Sequence, residues 1–257
     1  MSSAKYIRPL STRSELKRVR ALQQKKYREE ERRYLVQGRK VVEELLASGQ
    51  RIERIYATAA AAATIDHPAV EVLPGHEMDR IGTLESGNEL VAVVHMPEPL
   101  QPLEIKGHGL ILALDGINDP GNLGTVLRIA DWFGIDNVYC TPGSVDSFNP
   151  KCVQASMGAI FRVDVHYQEL TGELVRLRDL GATLYMATME GDPVFEVELA
   201  RPAVLVLGSE SHGISAPVRM LGCTPIAIPG SGRSESLNVA TAAAALCMEF
   251  ARQWRMA

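Results

Sequence analysis

The sequence predicts an α/β protein in two parts, a small α/β unit followed by a larger one built on a mostly parallel sheet with helices on both faces. Three observations predict this. From residue 107 onward, short apolar runs such as LILALD, NVYC and AVLVLG alternate with stretches of helical periodicity. Glycine, asparagine and serine cluster where those runs end, and parallel sheets bind ligands beyond the carboxyl ends of their strands. Pro97, Pro99 and Pro102 make PEPLQP the clearest linker in the chain, which sets the expected parts at residues 1–98 and 107–257.

Leu16, Val19 and Leu22 have helical spacing, so a first helix is expected from about Ser14 to the Tyr27–Glu31 region, with a strand at YLVQG after it. RKVVEELLASG reads as a helix with Val41, Val42, Leu45 and Leu46 on one face and Gly49 closing it. RIERIYAT alternates as a strand, ATAAAAAT is small-residue padding, and VEVL and ELVAVVHM are short strands around a brief helix. Beyond the linker come strand GLILALDG, helix TVLRIADWFG, strand NVYC, and a helix capped by Asn149 with Pro150 in its first position. RVDV, helix QELTGELVRLRDLG, strands ATLYMAT and AVLVLG, a short helix around APVRMLG, strand PIAI and a long apolar helix from about Leu237 complete the chain.

Composition narrows the function. Hydrophobic residues make up 46% and charged residues 23%, as in ordinary soluble domains. There is no apolar run of about 18 residues and no N-terminal apolar stretch, so a cytoplasmic protein without a membrane span or secretory signal is expected. Cys140, Cys152, Cys223 and Cys247 are widely separated, which suits buried free thiols in a reducing compartment. The six histidines are scattered, and no metal site is expected. Net charge is −4, yet the first 40 residues carry 13 Lys/Arg against 4 Asp/Glu. A basic end on an otherwise acidic chain suits a polyanion, although a solvated charged helix would look the same.

Three loops after strands carry the chemistry. Between PIAI and the last helix, GSGRSES offers free backbone N–H groups for an anionic or hydrogen-bonding ligand, with Arg233 and Glu235 at its rim and Ser236 and Asn238 at the helix start. The alternative is an ordinary loop with Ser236 as helix cap. After LILALDG, the stretch INDPGNLGTVLR places Asn122 ahead of a helix bearing Arg128. That arginine reads either as a group aimed at the loop or as a structural cation paired with an acid. After AVLVLG, Glu210 lies between Gly208 and Gly213, where backbone can approach a ligand closely. The phosphate-loop pattern, the dinucleotide fingerprint and G-x-S-x-G are all missing, so a generic nucleotide enzyme and a serine hydrolase are disfavoured.

Taken in order, NDPGNLGTVLR, LVLGSESHGIS and IPGSGRSESLNVATAAA resemble the three motifs of the SpoU/TrmH group of RNA ribose 2′-O-methyltransferases, within the SPOUT class. The likeness covers about residues 110–250. More loosely, KKYREEERRYLVQGRKVVEELL and ELVAVV resemble the small substrate-binding domain of that group, itself similar to a ribosomal RNA-binding protein. The resemblance implies a C-terminal domain with a deep trefoil knot, S-adenosyl-L-methionine as cofactor, structured RNA as substrate, and a homodimer formed through the C-terminal domains. It implies cofactor contacts, largely through backbone, at Thr188, Gly208, Ile228, Pro229 and Leu237, and catalytic-site roles for Arg128, Asn122, Glu210, Ser236 and Asn238. A guanidinium keeps its proton up to about pH 12, so Arg128 is expected to orient phosphate and ribose while Ser236 or a water assists proton removal. The chain departs from the group's pattern at Gly230, where many members have Met, and at Arg233. Aromatic residues are scarce at 5%, which favours recognition of folded RNA by shape and phosphates over base stacking. Guanosine in large-subunit rRNA is the leading target, with tRNA second and a non-catalytic RNA-binding protein as the competing class.

Overall fold

A computed structural model of the chain describes residues 12–83, 88–98, 109–233 and 235–254. The first part contains α1 (Arg13–Ala21), α2 (Lys25–Glu31), β1 (Arg33–Gln37), α3 (Arg39–Ala47), β2 (Ile52–Ala57), α4 (Ala59–Ala62), β3 (Val70–Val72), α5 (Gly75–Ile81) and β4 (Leu90–His95). Its four strands are ordered β1-β4-β2-β3, with β4 antiparallel to both neighbours and β2 parallel to β3. Strand β4 is buried on both faces because Leu90, Ala92 and Val94 pack toward α3, whereas Val91 and Val93 pack toward α1 and α5. Gly49, expected to close α3, has φ of +73° just past its end, a conformation glycine adopts without strain.

The helix expected to run unbroken from Ser14 to about Glu31 is two helices. Arg28 causes the break. It is 1% exposed, and its Nη1 donates to the Leu22 and Gln23 carbonyls at 2.9 and 2.8 Å, so those carbonyls turn inward at the junction. Its Nε and Nη2 donate to Asp146 Oδ2, at 2.9 and 2.6 Å, in the second part of the molecule. Truncating one partner of such a buried pair costs about 3–5 kcal/mol, because it strands the other charge.

The second part contains β5 (Leu110–Asp115), α6 (Pro120–Trp132), β6 (Asn137–Cys140), α7 (Pro150–Ser156), β7 (Asp164–Tyr167), α8 (Leu170–Asp179), β8 (Thr183–Pro193), β9 (Ala203–Gly208), α9 (Ala216–Arg219), β10 (Thr224–Ala227) and α10 (Val239–Trp254). Its six strands are ordered β10-β8-β9-β5-β6-β7, and every adjacent pair is parallel. Helices cover both faces, as expected: α6 and α10 build one core with Leu112, Leu205 and Phe250, and α8 and α9 build the other with Ala113 and Val204. Asn149 caps α7 through its Oδ1, ahead of Pro150. The proline linker falls partly outside the described residues, which stop at residue 98 and resume at 109.

The two parts meet at α7 and the loop before it. Val153 and the Phe148 ring pack into the first part's core, and Phe148 lies 4.6 Å from the Tyr34 ring centre. On its other side α7 supports α6: a Cβ at Gly124 would fall 2.4 Å from the Cys152 carbonyl oxygen, so only glycine permits this approach. In the sheet the chain runs outward from β5 to β7 and then returns to the other side of β5 through β8 and β9. The loops after β5 and β9 therefore diverge from neighbouring strands, which is where a crevice opens in such sheets.

Candidate active site

Strands β8 and β10 pair Met186 with Pro225 and then Asp192 with Ile226, so residues 187–191 bow out of the sheet. This detour, the loop at 208–213 after β9 and the loop at 228–237 after β10 enclose a cleft of about 730 Å³. Thr188, Gly208, Ile228, Pro229 and Leu237, the five expected cofactor contacts, all line it. At Gly208 an added Cβ would lie 2.2 Å from the Gly213 carbonyl carbon. There the loop doubles back, and Ser209 and Gly213 exchange backbone bonds of 3.1 and 2.8 Å. Gly191 is also tight, with Ile226 backbone 2.6 Å from where its Cβ would be.

Residues 122, 210 and 238 come together from three loops at the edge of the cleft. Asn122 lies in the first turn of α6, its N–H donating to the Asp119 N-cap at 2.8 Å. Asn122 Nδ2 donates to Glu210 Oε1, and Asn238 Nδ2 donates to Asn122 Oδ1 at 3.0 Å and to Glu210 Oε1 at 3.3 Å. Asn238 Oδ1 accepts from Ala240 N at 2.9 Å, so Asn238 caps α10. That cap starts the helix at Val239 and displaces Ser236 from the capping role allowed for it by sequence. Glu210 and Ser236 face the cleft, whereas Asn122, Asn238 and Arg128 line a second recess of about 620 Å³ between α6 and α10. The amide–carboxylate cluster thus stands on the boundary between the two spaces.

Arg128 is exposed in this recess, and among the described residues no carboxylate pairs with it. The structural alternative, an arginine paired with an acid, finds no partner among the described residues. Among the described residues no side-chain bond ties Ser236 to Arg128; the two lie on opposite sides of the cluster.

Two features of the site escaped the sequence reading. The detour at 187–191 had no signal beyond Gly191 beside an acidic pair. Asp115, at the end of β5 and 7% exposed, accepts from Ser215 N at 2.7 Å and so anchors the loop after β9 to the strand before the first motif. Its position, the last residue of an apolar run, was the only hint.

The cleft fits a small organic cofactor. Its volume lies within the range of about 300–1,000 Å³ usual for such sites. Its walls are mostly apolar side chains and loop backbone, with Glu210 and Ser236 among them, and Thr188 Oγ1 is buried there with no hydrogen-bond partner among the described residues. A ligand that accepts or donates a hydrogen bond would satisfy that hydroxyl.

Residues 109–248 match the SpoU rRNA methylase family, and residues 13–92 match the MRM3-like substrate binding domain. The chain belongs to the SpoU rRNA methylase family. Among SpoU relatives, the 23S rRNA (guanosine(2553)-2'-O)-methyltransferase RlmP of Bacillus subtilis is 31% identical over 229 residues, which cover 88% of this chain and 91% of the relative. A structure described as a putative RNA methyltransferase of the TrmH family from Porphyromonas gingivalis superposes with a TM-score of 0.85 at 40% identity, covering 95% of this chain and all of that one. The SpoU methyltransferase AviRb from Streptomyces viridochromogenes, solved with AdoMet, superposes at 0.82 with 25% identity over 94% of this chain and 98% of that one. The expectation of an S-adenosylmethionine-dependent RNA 2′-O-methyltransferase with a substrate-binding N-terminal part is borne out.

Proposed function

We propose that this SpoU methyltransferase modifies a ribose 2′-hydroxyl in folded large-subunit rRNA, with guanosine as the favoured nucleotide. The observation that carries the reading is the convergence of Asn122, Glu210 and Asn238 between a largely apolar cleft and a recess holding Arg128, which has no carboxylate partner among the described residues. The RlmP likeness over nearly the full length of both chains supports the choice of RNA and nucleotide. A tRNA target is the second reading, supported by 25% identity to a protein described as acting in 2-OH methylation of C/U34 on tRNA, a likeness that reaches only 58% of this chain.

When bound, S-adenosylmethionine supplies a sulfonium methyl already activated toward a nucleophile. Thr188, Gly208, Ile228, Pro229 and Leu237 would hold it, and the Thr188 hydroxyl supplies a side-chain polar contact among mostly backbone ones. Arg128 holds a phosphate and the ribose in the recess, which turns a bimolecular encounter into an oriented one. Ser236, or a water beside it, accepts a hydrogen bond from the 2′-hydroxyl and assists removal of its proton, which passes on to solvent as the oxygen takes the methyl. Glu210, Asn122 and Asn238 hold the three loops in register.

Residues 1–98 act as the RNA-binding domain and 107–257 as the methyltransferase domain, in which the last segment is threaded as a trefoil knot. The active unit is a cytoplasmic homodimer formed through the second domain. Support comes from Trp132 on α6, 84% exposed beside Ala244, and from Met248, 61% exposed one turn further along α10. A monomer would leave this apolar strip in water.

Mapping ribose methylation across total RNA from a deletion strain tests the assignment. One 2′-O-methylguanosine should disappear from the large-subunit rRNA and return with the wild-type gene but not with Arg128→Lys. A complete and unchanged methylation map would overturn it.

A further inference from the structure

Residues 12–40 contain eleven Lys and Arg, but they are not equally available. Arg18, Lys25, Lys26, Arg28, Arg33 and Arg39 each have a carboxylate partner. Arg13, Lys17 and Arg20 do not, among the described residues, and all three are exposed. At about 100° per residue they fall within roughly 60° of one another on α1. The far side carries Val19 and Leu22 into the core, with Leu16 half-buried at its margin, and the helix's single acid, Glu15, points to Arg54 at 3.4 Å.

This arrangement works against the helix that bears it. Lys17 follows Arg13 by four residues and precedes Arg20 by three, and like charges at those spacings repel. Arg13 also sits at the N-terminal end, where the helix dipole disfavours a cation. No acid stands three or four residues from any of the three. The neighbouring α2 shows the usual stabilised pattern, with Lys25–Glu29 and Lys26–Glu30 at four-residue spacing. Only Arg20, in the last turn, suits the helix dipole; the acid-free stripe as a whole serves an external polyanion better than it serves the helix.

We propose that the outer face of α1, carrying Arg13, Lys17 and Arg20, is a phosphate-contacting surface through which the N-terminal domain grips folded RNA. This rests on the RNA-methylating function above and specifies where on that domain the substrate backbone lies. The contacts are to phosphates, so they supply affinity and orientation without reading bases. The acidic balance beyond residue 40, 14 basic against 27 acidic groups, makes such a localised grip the more necessary.

The test uses the full chain and in vitro transcribed 23S rRNA. Binding of wild type, the Arg13→Gln/Lys17→Gln/Arg20→Gln triple variant and Arg13→Lys/Arg20→Lys is measured by fluorescence anisotropy between about 50 and 200 mM salt. The triple variant should show a log–log salt slope shallower by about 2–3, since each phosphate contact contributes roughly 0.7–0.9. Its affinity should fall at least about tenfold across RNA sequences, while the lysine variant stays near wild type. Thermal unfolding should be unchanged or shifted upward, and S-adenosylhomocysteine affinity unaltered. A triple variant with wild-type slope and affinity would overturn the surface but leave the function standing. Wild-type protein that failed to bind rRNA at all would overturn both.

Discussion

Asn238 Nδ2 donates to Asn122 Oδ1 at 3.0 Å, joining the start of α10 to the start of α6 across 116 positions of sequence. The same amide caps α10 through its oxygen and reaches Glu210 with its nitrogen, so one side chain both starts a helix and ties three loops together.

These two duties separate by mutation. Asn238→Asp keeps the capping oxygen but loses the donor and sets a carboxylate beside Glu210. It should keep the cap's share of stability, less a small cost of like-charge repulsion from Glu210 at this exposed site, while methyl transfer falls on the order of a hundredfold through misplaced loops. Asn238→Ala should lose the same activity and about 1 kcal/mol of stability with the cap. Thermal unfolding and single-turnover assays distinguish the two, and equal stability in both variants would show that the cap contributes nothing.

Gly208→Ala drives a methyl into the Gly213 backbone, since the nearest atom lies 2.2 Å from the added Cβ. The loop after β9 must move, at a cost of about 1–3 kcal/mol. Calorimetry should show S-adenosylhomocysteine binding weakened at least about tenfold, equivalent to roughly 1.4 kcal/mol or more. An alanine variant with unaltered affinity would mean that this close approach does not shape the cleft.

Much of this was readable in the residues themselves. Parallel strands were legible because LILALD and AVLVLG are apolar without alternation, and the boundaries at Asn149–Pro150 and Gly49 because capping chemistry is local. The three loops could be picked out because small and polar residues follow strand ends. The break between α1 and α2 was not legible, because Arg28, which bonds the carbonyls there, is held in place by Asp146, 118 residues away. Asn238 rather than Ser236 caps α10 because Asn122 and Glu210 fix the amide's position, and neither is near in sequence. The excess of positive charge at the N-terminus was plain, but which cations are engaged depends on carboxylates such as Glu53 and Asp146, brought in by the fold.

Glu53 sits between Arg18 and Arg33 and accepts from Arg18 Nη1 at 3.0 Å. Burial alone would raise its pKa, but bonds from Arg18 and then Arg33 outweigh it and hold the carboxyl below its usual range. A depressed folded-state value contributes stability above the unfolded pKa of about 4.3, and that stability is lost as pH falls through the folded value. Glu53→Gln should therefore cost about 1 kcal/mol at neutral pH, kept small by solvent screening. The difference from wild type should shrink below about pH 4 in denaturant titrations. A penalty that persists in acid would assign the effect to packing.

All four cysteines are buried and free, and burial pushes Cys140 and Cys247 up to about 12. At about pH 8 the native protein should react negligibly with a thiol-exchange reagent, and all four should react once it is unfolded. Rapid labelling of the native state, with activity lost in step, would point to a thiol at the site.

The most direct measurement is a crystal structure of the protein grown with S-adenosylhomocysteine. The account predicts density in the cleft bounded by residues 187–191, 208–213 and 228–237, with a ligand atom within hydrogen-bond distance of Thr188 Oγ1 and the sulfur facing the Asn122–Glu210–Asn238 cluster. Ligand density elsewhere, or these loops found apart, would contradict it.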